Sequence, residues 1–219
     1  MISLKGHPLE AATAQKPRKR ESPEVRRRQI LEISRELVAE SGFEAFSLRK
    51  VANTAGIHLK TLQYYFSTRQ SLIHATLEDT YTLYRSAVEE IIHRESASED
   101  QFRAYIRYLL SDQKDRQTAG FFYQLWARAH TDPDTNTMME KMYANHTRTL
   151  ESLIRPLVPE SQTDQCRTRA IMVAALIEGM MLFIGHGKNE SRHIANIEDD
   201  VVAQCTRIAT QPVATDNDH

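Results

Sequence analysis

The chain has 219 residues, 41% of them hydrophobic, with only 7 Gly and 7 Pro, which favours a packed α-helical protein over a disordered one. Its net charge of -1 conceals a division, because residues 1–70 carry 13 Lys and Arg against 7 Asp and Glu while the remainder carries 15 against 22; a basic front suited to a polyanion precedes an acidic back. The start MISLKGHPLE lacks the apolar run of a secretion signal, no segment supplies the roughly 20 apolar residues of a membrane span, and Cys166 and Cys205 show no metal-ligand spacing, so a cytoplasmic protein with two buried or free thiols is expected, a disulfide remaining open.

Residues 1–22 are polar, contain KPRKR at 16–20, and read as a flexible basic arm. Ser22 as a cap and Pro23 in the first turn open a helix over roughly 24–41, in which Ile30, Ile33, Leu37 and Val38 recur at helical spacing until Ser41-Gly42 stops it. Ser47 caps a second short helix carrying Leu48, Val51, Ala52 and Ala55; Gly56 ends it in a left-handed turn and Ile57 packs inward. A third helix over roughly 58–65 is anchored by Leu62 and Phe66, so the outline is a helix-turn-helix. Ser67 then caps a long helix to about residue 95. Two amphipathic helices follow, within EDQFRAYIRYLLSDQKD and TAGFFYQLWARAHT, and Asp132-Pro133 starts another that ends at RPLVPE. The segment from Ala170 to Ile184 is apolar nearly all round and must be covered on both sides, by its own core or by a second copy. An amphipathic helix, IEDDVVAQCTRIAT, precedes a polar tail. The fold class expected is all-α, with an arm at 1–22, a DNA-binding helix-turn-helix domain at 23–68, a larger helical domain at 69–210 and a tail at 211–219.

The stretch RRRQILEISRELVAESGFEAFSLRKVANTAGIHLKTLQYYFSTRQSLIHATL resembles the N-terminal domain of the TetR family of bacterial transcriptional regulators. Its markers are the arginine-led first helix, the Gly42-Phe43 corner, Ser47 before Val51-Ala52, Ala55-Gly56-Ile57, Thr61-Leu62, the pair Tyr65-Phe66, then Arg69 and Leu72. FFYQLWARAHTDPD and AALIEGMMLF are more loosely similar to the ligand-binding domains of the branch that includes the choline-responsive regulator of betaine synthesis. The resemblance implies a mostly repressive regulator, dimeric through its last two long helices, here about 164–187 and 196–210, whose small-molecule effector binds the C-terminal domain. His58, Lys60 and Gln63 depart from the family's pattern, which leaves the operator sequence open.

A recognition helix in the major groove presents exposed side chains to base edges. Gln63 suits adenine, Lys60 suits guanine acceptors, Leu59 suits a thymine methyl, and His58 and Arg49 complete the expected base-contact set. Phosphate contacts are expected from Ser47, Thr61, Tyr64, Tyr65 and Arg69, and KPRKR with Arg26–Arg28 is a candidate minor-groove or backbone arm. Tyr105, Phe122, Tyr123, Trp126, Met138, Met142 and Met180 supply adaptable apolar surface for an effector pocket, although such residues equally build a core; His130, His146 and Glu178 are candidates to orient a ligand. No metal spacing, cofactor loop or nucleophile constellation is found. The partners expected are a double-stranded operator with palindromic half-sites, a second copy of the chain and an unidentified effector, with no membrane. The alternative is a helical ligand-binding protein or enzyme whose front domain is only a scaffold.

Overall fold

The computed structural model describes residues 22–188 and 196–211. KPRKR and residues 212–219 lie outside the described residues. Among the described residues nine α-helices follow one another: α1 Pro23–Ser41, α2 Leu48–Thr54, α3 Leu59–Tyr65, α4 Arg69–Arg94, α5 Ser98–Asp112, α6 Arg116–Ala129, α7 Pro133–Ile154, α8 Cys166–Ile184 and α9 Ile197–Thr210. Two short 3-10 turns, Arg155–Leu157 and Glu160–Gln165, lie between α7 and α8, and no strand occurs among the described residues.

Side-chain caps head four of these helices, α1, α2, α4 and α7. Ser22 Oγ accepts from the Val25 N–H at 3.3 Å and Ser47 Oγ from the Lys50 N–H at 3.2 Å, as caps do. The Asp132 carboxylate accepts from the Thr135 N–H at 3.2 Å and heads α7. Helix α4 differs from expectation. It begins at Arg69, and Thr68 rather than Ser67 caps it: Thr68 Oγ1 accepts from the Ser71 N–H at 2.9 Å while Ser71 Oγ accepts from the Thr68 N–H at 3.1 Å. This reciprocal exchange satisfies two otherwise orphaned donors and overrides the earlier serine.

The described residues form two compact units. Unit 1 holds residues 22–84 with Arg116–Met139; unit 2 holds Arg85–Asp115 with residues 140–188 and 196–211. Helix α6, which the sequence places in the block 69–210, packs on α1 within unit 1. Gly120 allows that approach, because a Cβ there would stand 2.6 Å from the Ala39 carbonyl oxygen. Ile30, Leu31, Leu37 and Val38 of α1, Leu72 and Ile73 of α4, and Phe121 and Leu125 of α6 are all buried in this unit. Arg35, itself buried, pairs with Asp79 and fixes α4 to α1.

In unit 2, α5, α8 and α9 pack on one another. Their buried sides carry Phe102, Ile106, Leu109 and Leu110, then Val173, Ile177, Met181 and Ile184, then Val201, Val202 and Cys205. Arg169 of α8 is fully buried, donating to the Ala209 carbonyl at 2.8 Å and to the side-chain oxygens of Gln162 and Gln165 at 2.7 and 2.8 Å. It latches the end of α9 to the start of α8. Cys166 and Cys205 are buried free thiols, and burial pushes the Cys205 thiol up to about 12. The remaining side of α8 leaves Ile171, Met172, Leu182 and Phe183 exposed, so the covering expected for this helix comes from its own unit on one side only.

Candidate nucleic-acid interface

The reading head is assembled within unit 1 by α2, a glycine turn and α3. Gly56 has φ 63°, in the left-handed region, and donates to the Asn53 carbonyl at 3.1 Å; Ile57 donates to the Ala52 carbonyl at 3.0 Å, which closes α2 and turns the chain. Val51 and Ala52 on α2, with Leu62 and Phe66 at α3, are buried and hold the two helices together. From α1, the Arg27 guanidinium lies 5.3 Å from the centre of the Phe66 ring.

Once Leu62 and Phe66 face inward, α3 presents His58, Lys60, Thr61, Gln63 and Tyr64 to solvent. Tyr64 is 83% exposed, an unusual position for a large ring, and meets Tyr65 edge-on with ring centres 5.3 Å apart. His58, Lys60, Thr61, Tyr64 and Tyr65 border one open concavity of about 650 Å³. Arg49 is exposed on α2, and among the described residues neither it nor Lys60 meets a carboxylate. Exposed Lys60, His58, Gln63 and Tyr64 at α3, with Arg49 exposed on α2, are groups suited to base edges and phosphate oxygens.

The structure separates the expected contacts. His58 occupies the residue before α3 without making a side-chain cap, so its imidazole stays available. Leu59 and Tyr65 are half-buried, whereas Ser47 is exposed while serving as a cap. Arg69 is placed differently from a free phosphate ligand. Its Nε donates to the Phe46 carbonyl at 2.9 Å and its Nη2 donates to the Phe43 carbonyl, so the guanidinium binds the corner between α1 and α2. Lys50, which sequence reasoning passed over, donates from Nζ to Ser41 Oγ at 2.9 Å. Its position three residues after the Ser47 cap was the available sign that it lies beside that corner.

The residues expected at an effector site fall in both units. In unit 1, Phe122 is buried beside the rings of Tyr84 and Trp126, at 6.0 and 6.4 Å between centres; Tyr123 meets Trp126 at 5.8 Å; Met138 is half-buried and His130 is exposed. In unit 2, Tyr105 is buried with its hydroxyl 3.0 Å from His146 Nδ1, and Met142 and Met180 are half-buried. Tyr143 donates to Glu178 Oε2 at 3.2 Å. Burial alone pushes His146 down to about 4, and burial pushes Glu178 up to about 7 against the smaller opposing effect of the Tyr143 hydroxyl. No group of three or more His, Cys, Asp or Glu able to hold a metal occurs among the described residues.

A helix-turn-helix with an exposed polar reading surface, followed by a helical body, defines a DNA-binding regulator. The chain belongs to the TetR family of bacterial transcriptional regulators: residues 30–76 match the family of bacterial regulatory proteins named for TetR, and residues 98–197 match the BetI-type transcriptional repressor C-terminal domain. It is 23% identical over 161 residues to the HTH-type transcriptional regulator BetI of Escherichia coli, covering 72% of this chain and 81% of that one. In fold it is similar to a transcriptional regulator from Pseudomonas aeruginosa PAO1, with a TM-score of 0.68 at 16% identity over 86% of this chain and 90% of that one. A regulator from Saccharomonospora viridis solved in complex with choline gives 0.59 at 18% identity, over 83% and 94%. The relatives are transcriptional regulators rather than enzymes, which sets aside the scaffold-bearing enzyme as a reading. Regulators of this family bind DNA operators and act as dimers. No helix among the described residues is long and apolar enough to cross a membrane.

Proposed function

We propose that this chain is an effector-controlled repressor that binds a palindromic operator as a homodimer in the cytoplasm, where the chromosome lies. The observation that carries the reading is the division of α3 into buried anchors, Leu62 and Phe66, and an exposed set, His58, Lys60, Gln63 and Tyr64. Gln63 and Lys60 read bases with help from Arg49, His58 and Leu59, while Ser47, Thr61, Tyr64 and Tyr65 bind phosphate. The apolar outer side of α8, with α9 beside it, supports pairing with a second copy, and two-fold symmetry then requires two half-sites on one duplex. The effector binds in unit 2, the region of Tyr105, Met142 and Met180, and weakens operator binding.

Selection of bound sequences from random DNA by the purified protein tests this. A two-fold symmetric consensus is expected, with its most informative positions lost on Lys60→Ala and Gln63→Ala. Uniform retention of all sequences, by wild type and both variants alike, would refute the reading head.

A further inference from the structure

Unit 2 contains a set of polar side chains that its packing leaves incompletely satisfied. Tyr143 and His146 lie one turn apart on α7, so they share a face. From that face Tyr143 reaches Glu178 of α8 and His146 reaches Tyr105 of α5, whose ring stacks on Tyr108 with centres 6.5 Å apart. Glu178 accepts one hydrogen bond, from Tyr143, and no cation neighbours it among the described residues. A carboxylate can accept about four hydrogen bonds. His146 Nε2 is buried with no partner among the described residues. Gln113, only 5% exposed, donates from Nε2 to the Ile177 carbonyl at 2.9 Å, one residue before Glu178, while its Oε1 is likewise buried and unmet. Asp112 is buried beside Tyr108 and, after desolvation, helps to push that phenol above its ordinary range. Such buried, half-satisfied groups cost stability unless a ligand completes them.

We propose that unit 2 binds a small organic cation bearing N–H donors, a protonated primary or secondary amine, with its nitrogen at Glu178 and Tyr143 and its remainder toward Tyr105, Tyr108 and His146. The charge is called for by the unpaired carboxylate, and the aromatic rings favour a cation over a neutral group. The N–H donors are called for by the unfilled acceptors on Glu178 and Gln113, which a quaternary ammonium cannot supply. This inference rests on the effector-controlled reading above and gives that effector a chemical class. It has a proton signature. Glu178 is partly protonated near neutrality because burial raises it to about 7, so a bound cation draws it to the carboxylate and expels the proton.

Calorimetric titration of the full chain at pH 7 with n-butylammonium, n-butyltrimethylammonium and n-butanol tests the proposal, in two buffers of different ionisation enthalpy. n-Butylammonium is expected to bind with a buffer-dependent enthalpy, and the trimethyl analogue and the alcohol about tenfold more weakly, the worth of one or two charge-assisted hydrogen bonds. Glu178→Gln, which still accepts from Tyr143, is expected to lose about tenfold in affinity and all of the buffer dependence while its circular dichroism and unfolding midpoint show a folded protein. Tyr143→Phe is expected to weaken binding and keep the proton release. Equal binding of the two cations, unchanged binding by folded Glu178→Gln, or no saturable binding of n-butylammonium would each overturn it. Operator binding at saturating amine is measured separately. Glu178-dependent amine binding that leaves DNA affinity unchanged upholds this site and sinks the effector-controlled reading, whereas DNA release by an amine that Glu178→Gln does not alter sinks this site alone.

Discussion

Arg69 Nε lies 2.9 Å from the Phe46 carbonyl oxygen, and the same guanidinium reaches the Phe43 carbonyl. One side chain at the start of α4 therefore closes the corner between α1 and α2, adding to the backbone bonds there from Gly42 N–H to the Val38 carbonyl at 2.9 Å and from Phe46 N–H to the Phe43 carbonyl at 3.2 Å.

Arg69→Ala takes the Arg69 donor from the Phe46 carbonyl and leaves the Phe43 carbonyl with the Phe46 N–H at 3.2 Å, and is expected to destabilise unit 1 by about 1–3 kcal/mol, read as a lowered midpoint in urea. Arg69→Lys is expected to recover little, since an ammonium cannot span two carbonyls as a planar fork does. The salt dependence of DNA binding separates this role from phosphate contact. A slope unchanged by Arg69→Ala supports the corner role, and a slope lower by about one unit would show that Arg69 neutralises a phosphate as well.

On α3 the consequences differ by residue. Gln63→Ala is expected to relax preference at one base pair in each half-site by about 1–3 kcal/mol, and Tyr64→Phe to weaken all sequences alike, since a phenol on phosphate positions without reading. Competition titrations with single-base operator variants distinguish the two. A position-specific loss for Tyr64→Phe would place that ring in the groove instead.

The parts of this head that could be read from sequence are those built by neighbours in the chain. Ser22, Ser47, Gly56 and Asp132 act within three or four residues of themselves, and the spacing of Leu62 and Phe66 fixes which side of α3 faces out. Arg69 could not be read this way, because its partners lie 23 and 26 residues back and a guanidinium looks the same in sequence whether it faces phosphate or a carbonyl. The same holds for Tyr105 with His146, 41 residues apart, and for Arg169 with Ala209, 40 apart. Ser67 was the natural choice for a cap. Only the reciprocal bonds of Thr68 and Ser71, whose side chains both fit, decide against it.

Glu178 and His146 make opposite contributions to stability as pH changes. Glu178 is raised from 4.5 to about 7, so the stability it contributes is complete below pH 4.5 and is lost as pH rises through 7. His146 is lowered from 6.5 to about 4, so its contribution is complete above pH 6.5 and is lost as pH falls through 4. Between pH 4.5 and 6.5 the two offset each other. Glu178→Gln is expected to gain on wild type steadily from pH 4.5 to 7, and His146→Gln to gain on wild type as pH falls from 6.5 to 4. Urea unfolding at half-unit intervals measures both. Parallel curves for wild type and Glu178→Gln would show that this carboxyl is ordinary.

The outer side of α8 makes the last prediction. Ile171, Met172, Leu182 and Phe183 are 52, 45, 55 and 67% exposed, and a Cβ on Gly179, between the two pairs, would meet nothing within 4 Å. Helical geometry places these five positions on one broad arc, opposite the buried Val173, Ile177 and Ile184. Four large apolar side chains on one arc form a patch that water disfavours and a second copy would cover, with Gly179 admitting close approach of the facing helix. Leu182→Glu with Phe183→Glu then requires two carboxylates per chain to enter the interface or the dimer to separate, and separation is cheaper. Sedimentation is expected to show a dissociation constant raised by about 100-fold or more, with the helical signal unchanged because more than half of each of these side chains already faces solvent. Binding to a full palindrome is expected to weaken far more than binding to a half-site, since only the coupling of two heads is lost. A doubly substituted protein that remains dimeric at the same concentration would place the interface elsewhere on the chain.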